Sequence, residues 1–160
     1  MCIGVTRRSG LLALAGCAAA GWLPAAWSAH GQRLPLSQSL PQELAAAARD
    51  QQPLVVMVSL ERCPWCEVVR EHYLAPMYER EGLRVVQIDM LGKRTTEGVD
   101  GQPISHGALV RQWEVKIAPT LVFLNGEGAE VADRLEGGGS DFYSAYLDQR
   151  LEQARQAMLA

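Results

Sequence analysis

Cys63 and Cys66 frame the tetrapeptide Cys63-Pro64-Trp65-Cys66, and two thiols at that spacing can open and close a single disulfide. The same pair could serve as a structural cross-link or as half of a metal site. Its surroundings weigh between these chemistries. Residues 53–60 form an apolar run just before the pair, and residues 67–74 follow it with a helical pattern. A cysteine at a helix N-terminus faces unpaired N–H groups and the positive end of the helix dipole, which favour thiolate. Cys63 takes that place and is the candidate nucleophile. Cys66, one turn deeper, is the candidate resolving thiol. Pro64 suits the first helical turn, where its missing N–H would have had no partner. Trp65 is expected beside the nucleophile, partly exposed, either as an apolar docking surface or as ordinary packing.

The other two readings are weaker. A cross-link closing so short a loop removes little chain entropy. A zinc or copper(I) site would need further ligands. His72 stands six residues beyond Cys66, and His106 lies in a distant segment; both read as surface side chains. Haem attachment is excluded, because Glu67 occupies the position where CxxCH requires histidine. No cofactor and no metal are expected. A metal-binding module and a chaperone or binding module remain the competing functions.

The elements that hold the pair belong to a chain of 160 residues, 48% apolar and 21% charged, enough for one domain with a core. Its net charge of −3, without a basic block, argues against nucleic acid as a partner. It shows no Gly-rich phosphate loop after a strand and no internal repeat.

Residues 1–29 read as an export signal rather than as part of the fold. Arg7 and Arg8 give the positive start, residues 11–16 a mildly apolar centre, and Ala25-Ala26-Trp27-Ser28-Ala29 the small residues at which a signal peptidase cuts. The paired arginines also resemble a twin-arginine signal. Leu14-Ala15-Gly16-Cys17 resembles a lipobox, so a lipoprotein anchored through Cys17 is the alternative to a free periplasmic protein. Cleavage near residue 29 removes Cys2 and Cys17 and leaves only the two cysteines of the motif. Export would place them where disulfides persist.

Residues 30–38 read as a polar lead-in and residues 39–160 as the domain. Ser39 or Leu40 is expected to cap a first helix, with Pro41 in its first turn and Glu43 near its positive end. A buried strand follows over 54–60, then a helix over 64–80 kinked at Pro76. A second strand is expected over 83–90, a polar loop over 92–103, and a helix over 105–115 capped by Ser105. Strands over 120–124 and 129–135 flank the Asn125-Gly126 turn of a hairpin. Gly137-Gly138-Gly139 then releases the chain into a last helix over 141–158. The order α-β-α-β-α-β-β-α predicts an α/β fold of three layers, α/β/α, with one central mixed sheet that ends in a β-hairpin.

On these residues the chain resembles the thioredoxin superfamily: the CxxC opens the helix after a central strand, and Ile117-Ala118-Pro119-Thr120 precedes the hairpin strand. The resemblance implies a thioredoxin-like fold, with Pro119 after a cis peptide bond and facing the CxxC, and Ala118 beside it. It implies a thiol–disulfide oxidoreductase acting on protein thiols and disulfides, more a reductase than a strong oxidant, since no histidine lies inside the motif. Exported thioredoxin-like proteins, including those encoded with bacterial sulfur-oxidation systems, are the nearer likeness. Such a protein would draw electrons from a membrane or periplasmic thiol protein, and without a dimerisation segment it is expected to be a monomer. One departure stands out. Thioredoxins carry a buried carboxylate six residues before the nucleophile, where this chain has Met57. Glu61 and Glu67 are the nearest acids, either a proton relay or solvated surface charges. The stretch from Gly92 to Gly107 is the natural place for partner specificity.

Overall fold

The computed structural model describes residues 34–139 and 141–159; the expected signal segment, with Arg7, Arg8 and Cys17, lies outside them. In chain order the elements are α1 (Leu40–Arg49), β1 (Leu54–Ser59), α2 (Pro64–Val68), a π-helical stretch (Val69–Leu74), α3 (Ala75–Arg80), β2 (Val85–Asp89), β3 (Thr95–Glu97), β4 (Pro103–Ser105), α4 (His106–Gln112), β5 (Thr120–Leu124), β6 (Glu130–Glu136) and α5 (Tyr143–Leu159).

Strand β1 is buried along its whole length because it has a neighbour on each side and helices on both faces. The sheet order is β2-β1-β5-β6, with β1 parallel to β2 and antiparallel to β5, so the sheet is mixed and ends in the β5–β6 hairpin. Alternation along β1 divides the core. Val55 and Met57 join Cys66, Val69, Leu74, Tyr143 and Leu147 on one face, while Leu54, Val56 and Val58 join Leu40, Leu44 and Leu109 on the other. These are the two outer helical layers of an α/β/α arrangement.

Local signals explain the ends of the helices. The Ser39 hydroxyl accepts from the N–H of Gln42, Pro41 lies in the first turn, and Glu43 Oε1 reaches back to the N–H of Gln38 at 2.8 Å. The Ser105 hydroxyl caps α4 by accepting from the N–H of Ala108 at 3.3 Å. The helical run after the motif is continuous from residue 64 to 80. Within it a π-helical stretch, Val69–Leu74, lies just ahead of Pro76. Asn125 Oδ1 ties the hairpin turn by accepting from the N–H groups of Glu127 and Ala129.

Three expectations need correction. The polar stretch over 92–103 is not a plain loop: it carries β3, and β4 follows to make a separate two-stranded antiparallel sheet, Thr96 opposite Ile104. Strands of three residues give no periodic signal, and the buried Thr96 meets the hydroxyl of distant Ser37 at 3.0 Å. The lead-in is not merely a tether. Residues 34–38 run along the open edge of β2, where Gln87 exchanges hydrogen bonds with Pro35 and Ser37 at 2.8 and 2.9 Å. Finally, His106 is wholly buried rather than on the surface. Its Nδ1 accepts from the Asp89 N–H at 3.2 Å, which leaves the ring proton on Nε2 to donate to the Ser37 carbonyl at 3.0 Å.

Candidate active site

Strand β1 delivers the chain to a tight bend, Leu60-Glu61-Arg62, in which Arg62 takes a left-handed φ of 57°. A non-glycine residue held there costs about 1–2 kcal/mol, and here it turns the chain so that Cys63 becomes the cap of α2. Cys63 is extended at φ −97° and ψ 107°, and its Sγ accepts from the Cys66 N–H at 3.2 Å. Cys63 and Cys66 form a disulfide with Cα atoms 5.2 Å apart. The two sulfurs are unequally accessible: Cys63 is half-buried at the surface, and Cys66 is fully buried in the core cluster. An incoming thiolate or disulfide therefore meets Cys63 first.

Opposite Cys63 stands the loop before β5. The Ala118–Pro119 bond is cis, and the Ala118 carbonyl oxygen lies 3.8 Å from Cys63 Sγ. A disulfide sulfur has no proton to give, so in this oxidised form the approach is a contact; the same carbonyl can accept from the Cys63 thiol once the pair is reduced. The loop is held on both sides. Thr120 Oγ1 donates to the Ile117 carbonyl at 2.8 Å, and the Gly137 N–H donates to the Pro119 carbonyl at 2.8 Å.

Trp65 projects beside the disulfide and is 53% exposed. The glycine run, read from sequence as a release into α5, is a wall against it. A Cβ on Gly138 would lie 3.1 Å from Trp65 Cβ, and one on Gly139 would lie 3.2 Å from the indole ring. These glycines are site residues that the sequence reading missed. Three glycines in a row signal freedom of backbone, not the side chain they must accommodate.

Met57 is fully buried in the apolar cluster that contains Cys66. Glu61 and Glu67 are exposed, and neither carboxylate hydrogen-bonds to a described residue. Glu61 thus stands beside the motif with no hydrogen bond to Cys66. His72 is exposed, and both ring nitrogens of His106 are engaged away from the cysteines. Among the described residues no group of three or more His, Cys, Asp or Glu side chains is placed to hold a metal ion. Such an arrangement, a surface sulfur backed by a buried one three residues on, can pass two electrons by thiol–disulfide exchange.

Comparison with known proteins agrees with this geometry. A family model described as a thioredoxin-like domain matches residues 40–154. Among solved structures, a DsbH oxidoreductase superposes with a TM-score of 0.50 at 18% identity, covering 86% of this chain and 96% of that one. Thioredoxin from Fasciola hepatica superposes with a TM-score of 0.50 at 16% identity, covering 73% of this chain and 99% of its own. At these identities the likeness is one of fold. No curated protein sequence matches the chain significantly.

Proposed function

The chain belongs to the thioredoxin-like domain family, and we propose that it is an exported, periplasmic thiol–disulfide oxidoreductase of the reductase type, working as a monomer on protein disulfides. The single observation that carries the reading is the unequal pair: Cys63 at the surface as helix cap, Cys66 buried behind it. In the reduced protein the N–H of Cys66 and the start of α2 favour the Cys63 thiolate. That thiolate attacks one sulfur of the partner disulfide, the partner's S–S bond breaks, and its other sulfur leaves as thiolate. Cys66 then loses its proton and attacks Cys63 Sγ, which releases the second partner thiolate and closes the Cys63–Cys66 disulfide. Two electrons and two protons have passed to the partner. A second dithiol protein, at the membrane or in the periplasm, returns the pair to the reduced state. Export rests on the sequence of residues 1–29, and the alternative there is a lipid anchor at Cys17.

Replacement of the resolving thiol tests this. Cys66→Ser should accumulate a mixed disulfide through Cys63 with a disulfide-containing substrate protein, visible by mass spectrometry under non-reducing conditions. Cys63→Ser should not. The reading is wrong if Cys66→Ser forms no adduct or if Cys63→Ser traps equally well. A redox titration fixes the direction: a potential near the reductase end of the scale, about −270 mV, supports it, and one near −120 mV makes the protein an oxidant.

A further inference from the structure

A pocket of about 480 Å³ opens beside the motif, where the carboxyl ends of the parallel strands β1 and β2 meet the bend before Cys63. Crevices at the carboxyl ends of parallel strands are the usual ligand positions in open α/β sheets. Its floor carries an unused polar group. Ser59 is 3% exposed and lines the pocket, yet its hydroxyl makes no hydrogen bond with a described residue. In the same pocket Arg70, from the π-helical stretch, is fixed through its Nε donating to Gln87 Oε1 at 2.9 Å. That bond orients the guanidinium and leaves both Nη groups without a partner among the described residues.

The rim adds charge. Arg62, Lys93 and Arg94 line the same pocket, and none of their side chains has an ion pair or hydrogen bond with a described residue. The acids there are Glu61, Glu67 and Asp89. Asp89 Oδ1 already accepts the Leu91 N–H at 3.1 Å, while Glu61 and Glu67 are exposed. Four cations and three carboxylates thus line the pocket, and an oriented guanidinium and an unpartnered hydroxyl lining one pocket suit a planar oxyanion. The site stands close to the chemistry. Arg62 is the chain neighbour of Cys63, and the Glu67 N–H donates to the Cys63 carbonyl at 3.2 Å.

We propose that this pocket is a subsite for an oxyanion, a carboxylate carried near the disulfide that exchanges with Cys63, held by Arg70 and Ser59 with Lys93 at the rim. The inference rests on Cys63 being the exchanging sulfur, and it gives the stretch from Gly92 a part in partner choice through Lys93 and Arg94. The carboxylate can come from an acidic side chain of a partner polypeptide or from a small acidic disulfide.

Two measurements test it. The reduced protein is oxidised with dithiobis(nitrobenzoate), which carries carboxylates, and with neutral dithiodipyridine; the ratio of the two rates is the readout. That ratio should fall about tenfold in Arg70→Gln with Lys93→Gln, the loss expected for one charge-assisted hydrogen bond, and stay unchanged in the remote control Arg155→Gln. A ratio that is unchanged, or that falls equally in Arg155→Gln, overturns the proposal. Disulfide-cyclised peptides with Glu or Gln beside the cysteine identify the source: a Glu preference lost in the double variant means a polypeptide, and dependence confined to the small reagent means a small disulfide. Formate titrated into the oxidised protein reads the pocket without any exchange chemistry. It should shift the amide resonances of Ser59 and Gln87, and not in the double variant. Silent resonances overturn the subsite, whereas failure of both reagents to react with Cys63 counts against the exchange function alone.

Discussion

Gly138→Ala offers a sharp check on how the glycine wall supports the site. The added Cβ would stand 3.1 Å from Trp65 Cβ, 3.1 Å from Val69 Cγ2 and 3.2 Å from the Trp65 carbonyl oxygen. Comfortable carbon contacts begin at about 3.5 Å, so all three are too tight by a few tenths. Trp65 and Val69 belong to the helical run that carries Cys66, and their backbone cannot retreat without moving the motif. The loop must lift instead, loosening the Gly137 N–H from the Pro119 carbonyl. Overpacking of this kind costs about 1–3 kcal/mol. Urea denaturation should show it as a lower midpoint with an unchanged slope, together with slower exchange with a protein disulfide. Gly137 is the contrast. Nothing lies within 4 Å of a Cβ there, but its φ is +78°, so Gly137→Ala costs only the left-handed backbone, about 1–2 kcal/mol. Asparagine tolerates that conformation. Gly137→Asn should therefore recover part of the Gly137→Ala loss, whereas Gly138→Asn should recover none of the Gly138→Ala loss. A Gly138→Ala variant within about 0.5 kcal/mol of the parent would refute the crowding argument, and recovery at position 138 would refute the division between the two glycines.

Two further outcomes follow from buried polar groups. The Tyr143 hydroxyl is buried without a hydrogen-bond partner among the described residues, and burial first, then the neighbouring Tyr73 phenol, pushes its pKa up. The neutral form is the one the fold favours, so this group's contribution is complete below its unfolded pKa of about 10 and is lost as pH rises above it. Tyr143→Phe should be neutral or more stable by about 1 kcal/mol at neutral pH and should flatten the alkaline decline in urea midpoints; a clear loss at neutral pH contradicts an unpaired hydroxyl. His106→Leu should leave the Asp89 N–H and the Ser37 carbonyl unpaired, at about 1–3 kcal/mol each, and hasten hydrogen exchange at the Ser37 and Gln87 amides. Unchanged exchange there would mean that the histidine does not fasten residues 34–38 to the sheet.

What the sequence made legible, it made legible through local chemistry. Ser39 and Ser105 cap helices because a hydroxyl three residues ahead of an N–H is a local arrangement. The run over 54–59 is a central strand because five apolar residues in succession, Leu54 to Val58, suit a strand covered on both faces. Cys63 and Cys66 sit where their spacing and the following helix require. The features that escaped notice depend on distant partners. β3 and β4 are three residues each and hold through Ser37 and Ser39, more than fifty positions away. His106 reads as a polar surface residue until Asp89 and Ser37 close around it. The oxyanion pocket is likewise invisible in one dimension, since Ser59, Arg70 and Lys93 come from a strand, a helical stretch and a connecting loop.

The missing acid beneath the motif has a consequence for the resolving step. Cys66 must lose a proton while fully buried, and the side chain on its face of the central strand is Met57, equally buried and fully apolar. A carboxylate at that place would have to be desolvated among Val55, Leu121 and Phe123 with no cation near it, and an isolated buried charge costs several kcal/mol. Methionine there contributes about 1.5–3 kcal/mol of apolar burial instead. In the proposed cycle we expect the proton to go to a base that arrives with the substrate. The first exchange step supplies one: the departing partner thiolate is released beside Cys63, one helical turn from Cys66, and a thiol pKa of about 8.5 makes it a far stronger base than any carboxylate. In the proposed cycle, resolution is expected to be coupled to the leaving group. A partner whose thiolate departs readily, being a weaker base, speeds the first step and slows the proton transfer that completes the second.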